Sequence, residues 1–96
     1  MQPVLDYLRA HGARFEEELC EYLRMPSVSA QSHHAKDMRA TADWLGEHCR
    51  AMGLKVKKHA TNFHPIVTAR TPRKKSNHHR PHYVVYGHYD VQPPEP

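Results

Sequence analysis

Residues 83–93 of the chain read YVVYGHYDVQP, an apolar run that ends at a glycine and is followed by a histidine and an aspartate. A continuous apolar run of this kind is typical of a strand that is buried on both faces. We therefore predict a buried strand over residues 83–86 that ends at Gly87. Open α/β sheets place their functional sites at the carboxyl ends of such strands. His88 and Asp90 are accordingly the first candidates for a functional site.

The pair His88 and Asp90 has the composition of a metal ligand and its supporting carboxylate. Side chains two residues apart on an extended segment point to the same side. Imidazole is a common zinc ligand and binds the ion in its neutral form. A ligating histidine usually donates its other ring N–H to a carboxylate or carbonyl, which fixes the tautomer. From the residues alone, Asp90 either plays that orienting role or ligates a second ion, and Gly87 allows the backbone to pass close to the metal.

Two amphipathic helices are predicted upstream of this motif. Apolar residues recur at helical spacing over residues 3–24. Pro3 suits the first turn of this helix, and Pro26 disfavours helical geometry at the residue before it. Gly12 marks a point at which we expect a short break or kink.

The second helix is predicted to be capped by Ser32 and to end at Gly53, where a left-handed residue is favoured. Trp44 lies at the edge of its apolar face. We expect Trp44, Met38 and Met52 to pack in the core. The face consists of Met38, Ala42, Leu45, Cys49 and Met52.

Short strands are predicted at residues 54–60 and 65–70, and the proline-rich, basic stretch 71–81 has the composition of a loop. The fold class is therefore α/β, with two amino-terminal helices packed on the first strands of a mixed central sheet. The chain stops in QPPEP at residues 92–96, which is an unusual end for a complete domain. We expect residues 1–96 to be the amino-terminal part of a larger catalytic domain.

Several motifs together resemble the dinuclear-zinc exopeptidase family that includes dipeptidases, carnosinases, aminoacylases and acetylornithine deacetylase. The GHYDVQP motif at residues 87–93 is the most specific and is most similar to the dipeptidase branch. Supporting motifs occur upstream in the same order as in the family, although the basic stretch 70–82 is longer than the family's connection. They are FEEEL at 15–19, YLRMPSVS at 22–29, ATADWL at 40–45, MGL at 52–54 and HPIV at 64–67.

The resemblance implies an incomplete zinc-exopeptidase catalytic domain with His88 as a ligand of one zinc ion. It implies that Asp90 orients this ligand and tunes the metal. The family's bridging aspartate, glutamate base and remaining ligands would follow Pro96. The complete enzyme would hold two zinc ions, with manganese or cobalt as alternatives, and would hydrolyse a dipeptide or an N-acyl amino acid. A homodimer is compatible with the family, whereas the 96-residue chain alone is expected to be inactive.

A second hypothesis comes from the distribution of charge. The net charge is +4, and no acidic residue lies between Glu47 and Asp90. The run containing Arg73, Lys74, Lys75 and Arg80 could bind an acidic partner or nucleic acid as part of a non-catalytic basic domain, through residues 70–82. The run lacks interleaved aromatic residues and a recognisable binding motif, which disfavours nucleic acid.

The remaining candidates have simpler interpretations. The histidines 33–34, 78–79 and 82 could form a metal cluster, but no cysteine or acid completes a ligand set, so solvated loop histidines are favoured. Cys20 and Cys49 form no close pair and are expected to be buried apolar residues. No signal peptide or membrane-spanning run is recognised. A soluble protein in the cytoplasm, without a membrane partner, is predicted.

Overall fold

The computed structural model describes residues 1–95 and contains three α-helices and one small sheet. The helices are α1 (Gln2–Ala10), α2 (Gly12–Leu23) and α3 (Ala35–Ala51), and a 3₁₀ turn (Ser32–His34) precedes α3. The strands are β1 (Lys55–His59) and β2 (Ile66–Arg70). The mixture of helix and sheet agrees with the predicted α/β class at a coarse level.

The helix predicted over residues 3–24 is interrupted at His11, immediately before Gly12. His11 leaves helical geometry, with φ −112° and ψ 13°, and separates α1 from α2. The break agrees with the low helix propensity of Gly12. Neither α1 nor α2 contains a buried residue, although both have an apolar face. Their packing therefore contributes little to the core of the described chain.

Helix α3 carries most of the core and ends as the sequence predicts. Gly53 adopts a positive φ of 85°. Its N–H donates to the carbonyl of Arg50 at 2.9 Å, and the N–H of Leu54 donates to the carbonyl of Cys49 at 3.1 Å. This pair of bonds is a Schellman motif, which requires a left-handed residue where Gly53 stands.

The prediction that Ser32 caps this helix is wrong. Ser32 begins the 3₁₀ turn and makes no side-chain cap bond, and α3 begins only after His34. The His34 ring Nδ1 donates instead to the Asp37 carboxylate at 2.7 Å. The negative charge of Asp37 in the first turn is also favourable at the positive end of the helix.

The sheet is a two-stranded antiparallel ribbon in which Val56 pairs with Ala69 and Lys57 pairs with Thr68. One face lies on α3, where a Cβ added at Gly46 would lie 3.5 Å from Val56 Cγ1. The Lys58 ammonium also pairs with the Asp43 carboxylate on α3. Both strands occur where the sequence predicted them, whereas a larger mixed sheet remains a prediction.

The predicted buried strand at residues 83–86 is wrong. These residues belong to no strand, and their relative exposures are 83%, 84%, 93% and 89%. A strand satisfies its backbone groups through neighbouring strands. In residues 1–95 the ribbon β1–β2 is the only sheet, and it does not extend to this segment.

The core is small and lies between α3 and the turn that follows α2. Its buried apolar side chains within residues 1–95 are Val28, Met38 and Ala42. Thr41 is also buried, and its hydroxyl donates to the carbonyl of Asp37 at 2.7 Å. Met38 was correctly predicted as a core residue, but Met52 is 60% exposed, so that prediction is wrong. Within the described part of the chain, none of the helices has both the length and the apolar character needed to cross a bilayer.

Candidate metal-ligand site

The structure brings His88 and Asp90 into direct contact. His88 Nδ1 lies 2.9 Å from Asp90 Oδ1, and the His88 side chain is 73% exposed. The two side chains therefore lie on the same side of the segment, as expected for residues two apart on an extended chain. Nothing in residues 1–95 hydrogen-bonds to Nε2 of this ring, which leaves that nitrogen open to solvent.

The environment of Asp90 favours its charged form. The Ser29 hydroxyl donates to Asp90 Oδ2 at 2.5 Å, and His88 bonds to Oδ1. These two bonds, that of Ser29 first, hold the pKa of Asp90 below its ordinary value of 3.8. An ionised carboxylate only accepts hydrogen bonds. The proton of neutral His88 is therefore assigned to Nδ1, which leaves the lone pair on Nε2.

The segment that carries the pair is attached to the turn after α2. The N–H of Val91 donates to the carbonyl of Ser27 at 2.9 Å, and Val28 and Val91 form a parallel bridge. The Tyr22 hydroxyl on α2 donates to the carbonyl of Tyr89 at 3.1 Å. A side-chain bond from the helix and a backbone bond from the turn thus fix the segment on both sides of Asp90.

Tyr89, between the candidate residues His88 and Asp90, makes a side-chain contact of its own. Its hydroxyl donates to the carbonyl of Pro65 at 2.5 Å. Burial raises the pKa of Tyr89, and the negative charge of Asp90 raises it further. Tyr89 is half-buried, whereas Val91, two residues further along the segment, is 41% exposed.

Three residues hold this site together although sequence reasoning assigned them no contact. Ser29 bonds to Asp90, Tyr22 bonds to the Tyr89 backbone, and His64 Nε2 donates to the carbonyl of Ser29 at 2.9 Å. Tyr22 and Ser29 lie in the motif at residues 22–29, and His64 begins the motif at residues 64–67. The sequence therefore indicated these motifs, but it did not indicate which of their atoms form hydrogen bonds with one another.

The residues present fit part of a zinc site. A catalytic zinc site normally has three protein ligands, and residues 1–95 contain no group of three or more histidine, cysteine, aspartate or glutamate side chains that could hold a metal ion. His88 offers one free nitrogen with a carboxylate behind it, which is the usual arrangement of a single histidine ligand. His78 and His79 lie in the exposed loop with ring centroids 5.6 Å apart and recruit no acid.

The contacts among Ser29, Asp90 and His88 do not have the geometry of a Ser-His-Asp catalytic triad. In a Ser-His-Asp triad, the serine hydroxyl bonds to the imidazole and the carboxylate bonds to the opposite ring nitrogen. Here the Ser29 hydroxyl donates to the carboxylate itself, and His88 bonds to the other carboxylate oxygen. His88 is therefore not placed to take the serine proton, and the arrangement favours an oriented imidazole over an activated serine.

A comparison of the chain with protein-family models, with curated proteins and with solved structures finds no match. A proposal that relates the chain to zinc exopeptidases therefore depends on the motifs of the sequence and on the geometry around His88.

Proposed function

We propose that this chain is the amino-terminal part of a dinuclear-zinc exopeptidase that hydrolyses a dipeptide or an N-acyl amino acid. In this proposal His88 Nε2 binds one zinc ion. Asp90 accepts the Nδ1 proton, fixes the tautomer and makes the ring a stronger ligand. The observation that carries the proposal is the 2.9 Å contact between His88 Nδ1 and Asp90 Oδ1, together with the exposure of the ring.

The charge of Asp90 supports this assignment. A ligating histidine needs its lone pair on the nitrogen that faces the metal, and a negatively charged acceptor on the other side secures that tautomer. A carboxyl of ordinary pKa is already ionised at neutral pH, and the contacts of Asp90 lower its pKa further. When bound, a zinc pair polarises the scissile carbonyl and lowers the pKa of a bound water. Residues 1–95 would supply one ligand, His88, and the carboxylate of Asp90 that orients it.

One histidine ligand is not a complete zinc site. The proposal therefore places the other ligands and the general base in sequence that follows Pro96, and it assigns no activity to residues 1–96 alone. A cytoplasmic setting is part of the proposal, and the free thiols of Cys20 and Cys49 are compatible with it. Homodimerisation of the complete enzyme is a further part of the same proposal.

The test is the metal content of the product encoded by the coding sequence read beyond Pro96. We expect about two zinc ions per chain, as in two-metal hydrolases, and about one in the variant His88→Ala. His79→Ala is the matched control, because His79 is also an exposed histidine but lies in the loop. Equal metal content in wild type and His88→Ala would contradict the ligand assignment.

The basic stretch 70–82 supplies the competing function. Arg73, Lys74 and Lys75 are exposed, and Asn77 organises the loop by donating to the carbonyl of Pro72 at 3.0 Å. A non-catalytic polyanion-binding domain would bind nucleic acid in a salt-dependent manner. Replacement of Lys74 and Lys75 with alanine would then abolish binding while His88→Ala had no effect. We expect no such binding.

A further inference from the structure

We propose that Ser29 is a positioning residue that acts on His88 through Asp90. Its hydroxyl holds the Asp90 carboxylate in the orientation that keeps the His88 proton on Nδ1 and directs Nε2 to solvent. The role in metal binding rests on the function proposed above, whereas the role in fixing the tautomer does not depend on it.

The first support is the division of the two carboxylate oxygens. Ser29 Oγ lies 2.5 Å from Asp90 Oδ2, and His88 Nδ1 lies 2.9 Å from Oδ1. A separation of 2.5 Å is at the short end of the range for a hydroxyl bonded to a charged oxygen. The torsion about the last bond of an aspartate side chain is broad and poorly restricted by itself. A second contact on the far oxygen removes this freedom.

The second support is that Ser29 is itself fixed. Val28, the residue before it, is 3% exposed and pairs with Val91. The carbonyl of Ser29 accepts the hydrogen bond from His64 Nε2 at 2.9 Å. The hydroxyl therefore projects from a backbone that is held by a buried neighbour on one side and by a side-chain bond on the other.

The third support is that the attachment of the segment does not require the Ser29 hydroxyl. The bonds from Val91 to Ser27 and from Tyr22 to Tyr89 join backbone or tyrosine groups and leave Ser29 out. Removal of the hydroxyl should therefore leave the segment attached but free the carboxylate to rotate. This separates a positioning role from a merely structural one.

The test is the tautomer of the neutral His88 ring, read from long-range ¹H–¹⁵N correlations of the 96-residue chain at about pH 8.5, roughly two units above the ordinary imidazole pKa. We expect Nδ1–H in wild type and a mixture of tautomers in Ser29→Ala. Ser29→Thr should restore Nδ1–H, while Ser29→Val, nearly isosteric with Thr but without the hydroxyl, should behave as Ala. Tyr22→Phe is the matched control, because it removes a neighbouring hydrogen bond without touching Asp90, and should keep Nδ1–H.

Retention of wild-type Nδ1–H by both Ser29→Ala and Ser29→Val would overturn the proposal. Slow amide exchange at Val91 establishes that the segment remains attached in each Ser29 variant. If Ser29→Ala fails to fold, the comparison of Ser29→Thr with Ser29→Val carries the test. Indistinguishable tautomers in that pair would overturn the proposal equally.

A second readout concerns zinc affinity in the product extended beyond Pro96, measured by competition with a chelator. Loss of a group bonded directly to a metal ligand typically weakens binding by about 10- to 100-fold. Ser29 acts one bond further out, so we expect a loss of up to about 10-fold for Ser29→Ala, the lower end of that range, and recovery in Ser29→Thr. The His88 tautomer could depend on Ser29 while the extended wild-type product binds no zinc. That result would refute the proposed function and leave the positioning role intact. Zinc binding that is equal in wild type, Ser29→Ala and Ser29→Val would refute the positioning of a ligand.

Discussion

The backbone N–H of Val91 donates to the carbonyl of Ser27 at 2.9 Å, so the end of the described chain pairs with the turn that follows α2. The adjacent residue Val28 is buried and forms the parallel bridge with Val91. The candidate ligand motif is thereby joined to the first half of the sequence. The positions of His88 and Asp90 therefore depend on the position of this turn.

The hydrogen bond from Tyr22 to the carbonyl of Tyr89 should contribute measurably to this attachment. We expect Tyr22→Phe to lower the free energy of unfolding by about 1 kcal/mol, the usual value of a neutral hydrogen bond. Amide exchange at Val91 should accelerate in the same variant. Tyr7→Phe is the control, because Tyr7 is 50% exposed and its hydroxyl accepts a bond from exposed Arg14. An equal loss in both variants, measured by urea unfolding, would contradict a specific role for Tyr22.

Met38 should be indispensable for the core. Its side chain is 2% exposed, and methionine-to-alanine changes at buried sites cost about 2–5 kcal/mol. Since natural domains are stable by only about 5–15 kcal/mol, we expect Met38→Ala to remove a large share of the free energy of unfolding, about 2–5 kcal/mol. Met52 is the C-cap residue of α3 and is 60% exposed. Met52→Ala should therefore change the free energy of unfolding by about 0.5 kcal/mol or less. Similar losses in the two variants would show that the core lies elsewhere.

The two glycines at helix ends should respond to alanine with opposite signs. Gly53 has φ 85°, a conformation that costs an alanine roughly 1–2 kcal/mol, so Gly53→Ala should destabilise the protein. At Gly12 the φ is not positive and an added Cβ would meet no atom within 4 Å. Gly12→Ala should therefore stabilise α2 by up to about 1 kcal/mol. Thermal unfolding of both variants checks the prediction, and destabilisation by Gly12→Ala would refute it.

The tyrosines beside Asp90 should titrate late. Burial raises the pKa values of Tyr22 and Tyr89 above 10.0, and the charge of Asp90 raises them further. A raised folded-state pKa stabilises the protein below the unfolded value, and this contribution is lost as the pH rises through the folded value. Site-resolved ¹³Cζ titration should show both phenols above 10.0. In Asp90→Asn both pKa values should fall only part of the way, because burial is the larger cause. Titration of Tyr22 and Tyr89 at or below 10.0 in wild type would contradict this environment.

Local chemistry in the sequence was sufficient to predict the helices and the two strands. The break near Gly12 follows from helix propensity, and the end of α3 follows from the need for a left-handed residue at Gly53. Alternation of Leu54 and Val56 with lysines located β1, and β2 lies in the short strand predicted at residues 65–70. Each of these features depends on residues that are close together in the chain.

Features that depend on distant partners were not predictable in the same way. The apolar run 83–86 has the composition of a buried strand, yet a strand forms only where a neighbour accepts and donates its backbone bonds. Contact of His88 with Asp90 was predictable from their spacing. Contact of Ser29 with Asp90 was not, because the sequence alone gives no distance between the turn after α2 and the end of the chain.

The most direct test of the central claim is a zinc titration of the 96-residue chain in which the ring nitrogens of its ten histidines are observed individually. A carboxylate behind an imidazole strengthens the opposite nitrogen as a ligand. His34 also bonds to a carboxylate, but its side chain is only 22% exposed, whereas that of His88 is 73% exposed. The account predicts that His88 Nε2 shifts at lower zinc concentration than any other ring nitrogen, and that Asp90→Asn removes this advantage. Earlier shifts at His78 or His79, with His88 unchanged, would contradict it.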